Sequence, residues 1–389
     1  MAVINRIAEY FEDMKEWRQH LHAHPELDMD CHQTAAFVVE KLRAFGVDEI
    51  HEQIGVSGVV GIINGQGEGP TIGLRADMDA LPMPEETGLP YASTVEGMMH
   101  ACGHDGHTTM LLGAARYLAE TRKFSGRVAL IFQPGEEGSG GARFMVEDGL
   151  IERFNISQVF GQHSLPKSPV GTIETCTGPL LAAADDFEIH INGSGGHAAS
   201  PHESVDPVMI AVNMYQNLQS IVTRNVDPIK TVVLSLTQIH SGTTHNVVPE
   251  TAMLAGTVRT FDKDVQALVV ERMKAIVHST AEMMGGTARL DYNYGYPATI
   301  NDPAKTEFAC DVAAEVVGEA RVARAIAPTM GAEDFSFMLE EVPGAYFYIG
   351  NGDSAYLHHT KYDFNDEASP TGASVLARIV ERAQPLPAK

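Results

Sequence analysis

Cysteine is scarce in this chain. Cys31, Cys102, Cys176 and Cys310 are its only four in 389 residues, too few and too dispersed for a disulfide framework. Positive charge is also in short supply: 27 Lys and Arg stand against 51 Asp and Glu, a formal net charge of −24 at pH 7. A surface of that sign repels phosphate backbones and anionic lipid, so nucleic acid and membranes are not expected partners. No apolar run is long enough to span a bilayer. The opening residues, Met1-Ala2-Val3-Ile4-Asn5-Arg6, carry no basic region followed by an apolar stretch. The expectation is a cytoplasmic protein without a secretory signal. There is no internal repeat and no low-complexity segment. The acidic residues are scattered, as on a solvated surface, and not gathered in a tail.

The chain does have apolar content, 44% of its residues, and a length that suggests two domains. Ile4, Ile7, Tyr10, Phe11, Met14 and Trp17 fall at helical spacing over 4–17. A second helix is expected over 33–45, stopped by Gly46. Short apolar runs at 56–63, 71–75, 127–132 and 158–161 read as buried strands, with a helix over about 107–122 among them. Strands interleaved with helices predict an α/β catalytic domain built on a mainly parallel mixed sheet. Residues 185–192 and 252–260 alternate instead like half-buried antiparallel strands. Another strand is expected at 230–239, and helices near 205–223 and 264–284. That order predicts an inserted ferredoxin-like α+β domain over 182–294. It interrupts a catalytic domain formed by 1–181 and 295–389. Helices near 304–317 and 370–383 and a strand at 345–349 complete that catalytic domain.

In such sheets ligands bind beyond the carboxyl ends of the strands, and the polar clusters fall there. Asp77 and Asp79 follow the 71–75 run, Glu136 and Glu137 the 127–132 run, and His163 the 158–161 run. His100-Ala101-Cys102-Gly103-His104-Asp105-Gly106-His107 sets a thiol and three imidazoles within eight residues. Thiolate sulfur and imidazole nitrogen are both good ligands for zinc-like ions. The glycines let the backbone turn so that the side chains converge. A thiol nucleophile is the competing reading of the same cluster. In Gln133-Pro134-Gly135-Glu136-Glu137-Gly138-Ser139-Gly140-Gly141, adjacent carboxylates repel unless something positive sits between them. One can bind a metal and the other can take a proton from water. Alone this would be an ordinary exposed acidic turn; beside the Cys/His cluster it is not. His163 and His358 are each unremarkable alone and matter as completing ligands. In the middle of the chain, 193–202 (GSGGHAASPH) is a Gly-rich turn bearing His197, suited to approach a ligand. Downstream stand His245-Asn246 and Arg259, the last suited to bidentate recognition of a carboxylate.

Further stretches join these: Arg18-Gln19-His20-Leu21-His22-Ala23-His24-Pro25-Glu26, Arg75-Ala76-Asp77-Met78-Asp79-Ala80-Leu81-Pro82, HNVVPE over 245–250, MGAEDFSF over 330–337, Leu357-His358 and Tyr362-Asp363-Phe364. Through them, nearly end to end, the chain resembles the aminoacylase/carboxypeptidase family of dinuclear metallohydrolases. It is most similar to the branch of hippurate hydrolases, N-acyl-amino-acid amidohydrolases and auxin-conjugate hydrolases. The resemblance implies two divalent metal ions per subunit, of zinc, manganese, cobalt or nickel. It implies Cys102 as their bridge, with His104, Glu137, His163 and His358 as further ligands. His358 is taken over His359 because it directly follows Leu357. Glu136 is implied as general base and acid, with Asp77 and Asp79 supporting the ligands from behind. His197 is implied to reach the active site of a partner subunit and steady the oxyanion. Asn246 and Arg259 are implied to hold the substrate's carbonyl and carboxylate. The chain departs from the family pattern at Gln162 and at Cys31-His32, neither of them a proposed ligand.

The expected activity is hydrolysis of the amide bond of an N-acyl amino acid. The expected assembly is a homodimer paired through the inserted domain. Two rivals stand beside it. One is a hydrolase with Cys102 as nucleophile and His104 or His107 as base. The other is a non-catalytic binder of small amides, against which the intact Glu136 argues.

Overall fold

The apolar stripe near the N-terminus outruns the helix it predicts. In the computed structural model, which describes residues 3–387, Asn5–Ala8 and Phe11–Ala23 are separate helices. Ile7, Tyr10, Met14, Trp17 and Leu21 are all buried and keep their helical spacing across the break, so the spacing does not register it. The next helix, His32–Phe45, ends where expected, on Gly46 at φ +77°, a left-handed conformation that glycine adopts without a steric penalty.

The chain divides into two units. The first runs to Leu180 and resumes with Thr299–Pro328 and again from Asp334. Its sheet has eight strands in the order Glu49–Ile54, Gly58–Asn64, Arg127–Gln133, Thr71–Asp77, Ile156–Pro166, Gly344–Gly352, Ile173–Glu174, Val322–Ala323. The four strands from Arg127–Gln133 to Gly344–Gly352 are mutually parallel. The flanking Glu49–Ile54 and Gly58–Asn64 pair is antiparallel. The sheet is therefore mainly parallel at its centre and mixed at its edges, as the sequence predicts. Thr71–Asp77 is buried at every position, which is why it shows no alternation.

One helix, His104–Thr121, lies among the helices Phe11–Ala23, His32–Phe45 and Ser369–Ala383 and against the sheet. It is buried almost all round. Leu111, Leu112 and Leu118 are fully enclosed, each worth roughly 1.5–3 kcal/mol of burial. Its first residue, His104, is thereby fixed by the core of the unit, at the carboxyl ends of the parallel strands.

The second unit comprises Leu181–Ala298 and Thr329–Glu333. Its sheet orders Val232–Ser241, Thr251–Thr260, Ala183–Asn192 and Thr287–Tyr296, all antiparallel. Helices Pro207–Ser220 and Lys263–Met283 complete a β-α-β-β-α-β order, the ferredoxin-like arrangement. Phe187, Ile189 and Ile191 point into its core with Met214, Leu254 and Met273; Glu188 and the partly buried His190 alternate with them. Both helices start on an aspartate cap. Asp206 accepts from the Val208 and Met209 amides, and Asp262 from those of Asp264 and Val265. Among the described residues no helix is long and apolar enough to cross a membrane.

Candidate metal centre

The strands end later than their apolar runs suggest. Asp77 is the last residue of its strand, and His163 lies inside Ile156–Pro166. Both are held by backbone pairing and not by a loop. Cys102 and His104 flank Gly103, at φ +93°. A Cβ there would sit 2.5 Å from Ser164 Oγ and 2.6 Å from Tyr362 Oη. Glycine therefore permits both the turn and its close seat on the His163 strand.

Two groups of three donors converge, and they share one residue. Cys102, His104 and His163 form the first; Cys102, Glu137 and His358 form the second. In each, the donor atoms lie within 4.8 Å of one another. Cys102 Sγ is 3.3 Å from His163 Nε2. His358 Nε2 is 3.1 Å from Glu137 Oε1. His358 holds a left-handed backbone at φ +61°, secured by its amide donating to Ala101 O at 2.8 Å. Its neighbour His359 instead accepts from the Lys361 amide. Glu136 and Glu137 join His104 in a third group, with His104 Nε2 3.9 Å from Glu136 Oε2.

The surroundings orient these donors. His163 Nδ1 donates to Ser164 O at 2.7 Å, which leaves the Nε2 lone pair facing Cys102. His104 Nδ1 donates to Asp79 O at 2.9 Å, which turns its Nε2 toward the carboxylates. Asp79 Oδ2 also accepts from the Glu137 amide at 2.9 Å and so ties the two donor-bearing loops together. Asp77 accepts from His107 Nδ1 at 2.6 Å and from Arg75 Nη1 at 2.7 Å. His107 Nε2 in turn accepts from the Ser164 amide at 2.8 Å. Both His107 nitrogens are therefore engaged, and this imidazole cannot act as a base.

The electrostatics favour a bound cation. Burial alone would push the His104 imidazole down, but Asp77 and Asp79 outweigh it and hold the pKa well above its ordinary value. That field asks for positive charge at His104. Burial, together with His107, pushes His163 down to about 3, so its imidazole is neutral and available as a ligand. Burial and then Glu137 push the Cys102 thiol well up. His104 Nε2 is buried without a hydrogen-bond partner among the described residues, a costly state for a polar atom. The donor set fits divalent metal ions.

In the second unit, His197 and Asn246 come together. Gly196–His197 pairs with Val247–Val248, and the Ala198 amide donates to Asn246 O at 3.1 Å. His197 is exposed, and its Nδ1 accepts from the Ala199 amide at 3.1 Å. This ribbon continues beyond the end of the sheet where Thr251 pairs with Asn192. Arg259 sits at the other end of that strand, opposite Ala184. Arg259 lies eight positions beyond Thr251, about 26 Å of extended chain.

Several residues that build the site escape motif reasoning. Arg75 also binds Asp334 Oδ1 at 2.8 Å and Gln133 Oε1 at 2.8 Å, clamping the ends of two strands from a fully buried position. A charged residue inside the apolar 71–77 run is the signal. Asp28 accepts from the Ser139 amide at 3.0 Å and from Ser139 Oγ at 2.7 Å, pinning the loop that carries Glu136. No sequence pattern announces that pair.

Residues 73–382 match the sequence profile of Peptidase family M20/M25/M40. The chain belongs to this family. It is 40% identical over 379 residues to a hippurate hydrolase of Campylobacter jejuni, covering 97% of this chain and 98% of that protein. It is 41% identical over 356 residues to an N-acetyl-L-cysteine deacetylase of Bacillus subtilis, covering 90% and 83%. Among solved structures it is similar to the Bacillus subtilis YXEP protein, a dinuclear metal binding peptidase from the M20 family. There the TM-score is 0.86 at 33% identity, over 97% and 98% of the two chains. The M20 chain described here is thus a hydrolase of amide bonds that works with divalent metal ions.

Proposed function

We propose that the chain removes the acyl group from N-acyl amino acids of the hippurate and N-acetyl type, releasing a carboxylic acid and a free amino acid. One observation carries this: two three-donor groups share Cys102, with Glu136 beside both carboxylate and imidazole donors. In this reading Cys102, His104 and His163 would hold one ion, and Cys102, Glu137 and His358 a second. Zinc, manganese, cobalt and nickel all suit such a sulfur and nitrogen set. Bound divalent ions polarise the amide carbonyl and acidify water.

Glu136 takes a proton from water as its oxygen bonds to the carbonyl carbon. The C–N bond then breaks, and Glu136 returns the proton to the departing nitrogen. His197 steadies the developing oxyanion, Asn246 holds the carbonyl, and Arg259 holds the carboxylate of the leaving amino acid. His197 and Asn246 lie at one end of the insert sheet and Arg259 near the other. A small substrate cannot bridge that span within one insert. We therefore assign His197 and Asn246 to the active site of a partner subunit, which makes the working unit a homodimer. The edge strand Val232–Ser241 with Ile239 52% exposed, and Met209, Val212 and Tyr215 on the helix beside it, supply an apolar surface for that pairing. Four unpaired, buried cysteines fit a reducing cytoplasmic setting.

The electrostatics weigh against Cys102 as nucleophile, since burial and Glu137 oppose its thiolate, and His107 is spoken for. A panel of N-acetyl, N-benzoyl and indole-acyl amino acids tests the assignment, run with chelator and with each metal restored. Cleavage abolished by chelator and recovered with metal supports it. Cleavage that survives full metal removal sinks it.

A further inference from the structure

The N-terminal stretch Arg18–Glu26 has no part in the chemistry described above, yet it holds two charged groups deep in the first unit. Arg18 and His22 have fully buried side chains. Arg18 Nε and Nη2 donate to the two oxygens of Asp366 at 2.6 and 2.9 Å. Its Nη1 donates to Asp363 Oδ1 at 3.1 Å and stands 3.8 Å from Asp105 Oδ2. The guanidinium lies 4.3 Å from the centre of the Tyr91 ring, and Tyr91 Oη donates to Asp363 Oδ2 at 2.9 Å. His22 Nδ1 donates to Asp105 Oδ2 at 2.7 Å, and Nε2 reaches Glu85 Oε1 at 3.3 Å. With a carboxylate at each nitrogen, the ring is an imidazolium.

The carboxylates gathered here sit beside the proposed ligands in sequence. Asp105 follows His104 directly. Asp363 closes the loop that begins at His358, whose amide is bonded to Ala101 O. Between them, Tyr362 Oη and Ser164 Oγ are 2.9 Å apart, next to His163. One guanidinium thus faces both the segment bearing Cys102 and His104 and the segment bearing His358. These segments are more than 250 residues apart in sequence; the first supplies the shared Cys102 together with His104, and the second supplies His358.

We propose that Arg18 is a positioning residue that holds the His358 segment in register with the Cys102–His104 turn, and so sets the spacing of the two metal sites. The inference rests on the two-ion reading given above. A planar guanidinium suits the task, because one lysine ammonium cannot give two parallel bonds to Asp366 and a third to Asp363. Two kinds of anchoring are combined: a bidentate ion pair to Asp366 fixes direction, and the Tyr91 ring 4.3 Å away adds a cation–π contact.

The test is a cobalt titration of the metal-stripped full-length protein, followed through the thiolate-to-cobalt absorption band, with turnover measured alongside. Wild-type protein taking up two cobalt ions per chain upholds the two-ion reading. Against that background, Arg18→Lys is expected to weaken uptake of one of the ions about 10- to 100-fold. It should also shift the absorption band and lower kcat while leaving KM in place. Tyr91→Phe, which removes a single hydroxyl at the partly exposed edge of the cluster, should move the same quantities by less. If Arg18→Lys does not fold, Tyr91→Phe decides alone. Wild-type cobalt affinity and spectrum in the variant that folds, with only a lower melting temperature, would overturn the positioning role and leave the two-ion reading standing. Wild-type protein that binds no second cobalt ion would overturn both.

Discussion

Asp77→Asn is a nearly isosteric change whose cost can be worked from the hydrogen bonds. Asp77 is fully buried. One oxygen accepts from His107 Nδ1 and the other from Arg75 Nη1. An asparagine keeps one acceptor and gains an NH2 group. Whichever way the amide turns, that NH2 meets a donor, either the guanidinium or the imidazole N–H. The imidazole cannot yield by changing tautomer, because its Nε2 already accepts from the Ser164 amide. One charge-assisted bond is lost, roughly 1.5–3 kcal/mol, and Arg75 keeps only Asp334 of its two carboxylate partners. Leaving a buried charge with no partner costs about 3–5 kcal/mol; with Asp334 still bound to Arg75, the loss expected is that of the one bond, about 1.5–3 kcal/mol. The strain falls next to His104 and His163, so metal affinity should also drop about 10- to 100-fold. Urea unfolding of the metal-free protein measures the first effect, and competition with a chelator the second. The pH dependence supplies an independent check. Burial raises the Asp77 carboxyl, but His104, Arg75 and His107 outweigh it and hold it well below its ordinary 3.8. A depressed folded value stabilises fully above the unfolded value and is lost as pH falls below it. The gap between wild type and Asp77→Asn must therefore narrow on acidification below about 4. A loss under about 1 kcal/mol, or a gap that widens in acid, would refute the reasoning.

Glu136→Gln should retain both metal ions, by elemental analysis, and lose about 10²- to 10⁴-fold in kcat; loss of metal instead would make Glu136 a ligand. Burial lowers the His22 imidazole, but Asp105 and Glu85 outweigh it and raise it to about 9. Its stabilisation is therefore complete below the ordinary 6.5 and lost as pH rises through about 9. Melting temperatures of wild type and His22→Gln should converge over that window, and parallel curves would contradict the charge assignment. Asp28→Ala releases Ser139 and should lower kcat with metal content unchanged, because it loosens the Glu136 loop without touching a donor. Mixing Glu136→Gln with His197→Ala should restore about a quarter of wild-type activity, since half the random dimers are hybrids with one complete site. No recovery after demonstrated subunit exchange would place His197 in its own subunit's chemistry.

The periodicities that the sequence displays are those of burial, and burial is what they located. Residues 128–132 form an unbroken apolar run, and 72–76 one interrupted only by the buried Arg75, because both faces of the sheet are covered. Ala183–Asn192 alternates because one face packs on two helices. The short strand Glu49–Ile54 was not legible: it is an edge with a mostly open burial pattern and carries His51, Glu52 and Gln53 in place of an apolar run. The break at Glu9 and Tyr10 was hidden for the opposite reason, as the buried stripe runs through it. Cys102, His104 and Glu137 stood out as chemistry-bearing types beside glycine turns, whereas His163 and His358 drew notice only as residues that could complete the set. The groups that hold them were harder to find. Arg18 and Asp366, or Asp28 and Ser139, are ordinary surface residue types far apart in sequence, and only the folded chain pairs them.

The choice between a thiol nucleophile and a metal bridge turns on the sign of one local field. A nucleophilic cysteine needs a surplus of positive charge to hold its thiolate. At Cys102, burial and the carboxylates of Glu137 and Glu136 outweigh the opposing pull of the His104 imidazole, and the Arg75 guanidinium is taken up by Asp77 and Asp334. That surplus of negative charge disables the thiolate as an attacking group, as the upward push on its pKa reflects. The same surplus is what two divalent cations would neutralise. They would lower the cost of ionising the thiol, relieve the repulsion between Glu136 and Glu137, and engage the buried His104 Nε2. Each of these groups is unfavourable without a cation and favourable with one, and the preference for metal belongs to the set of them together.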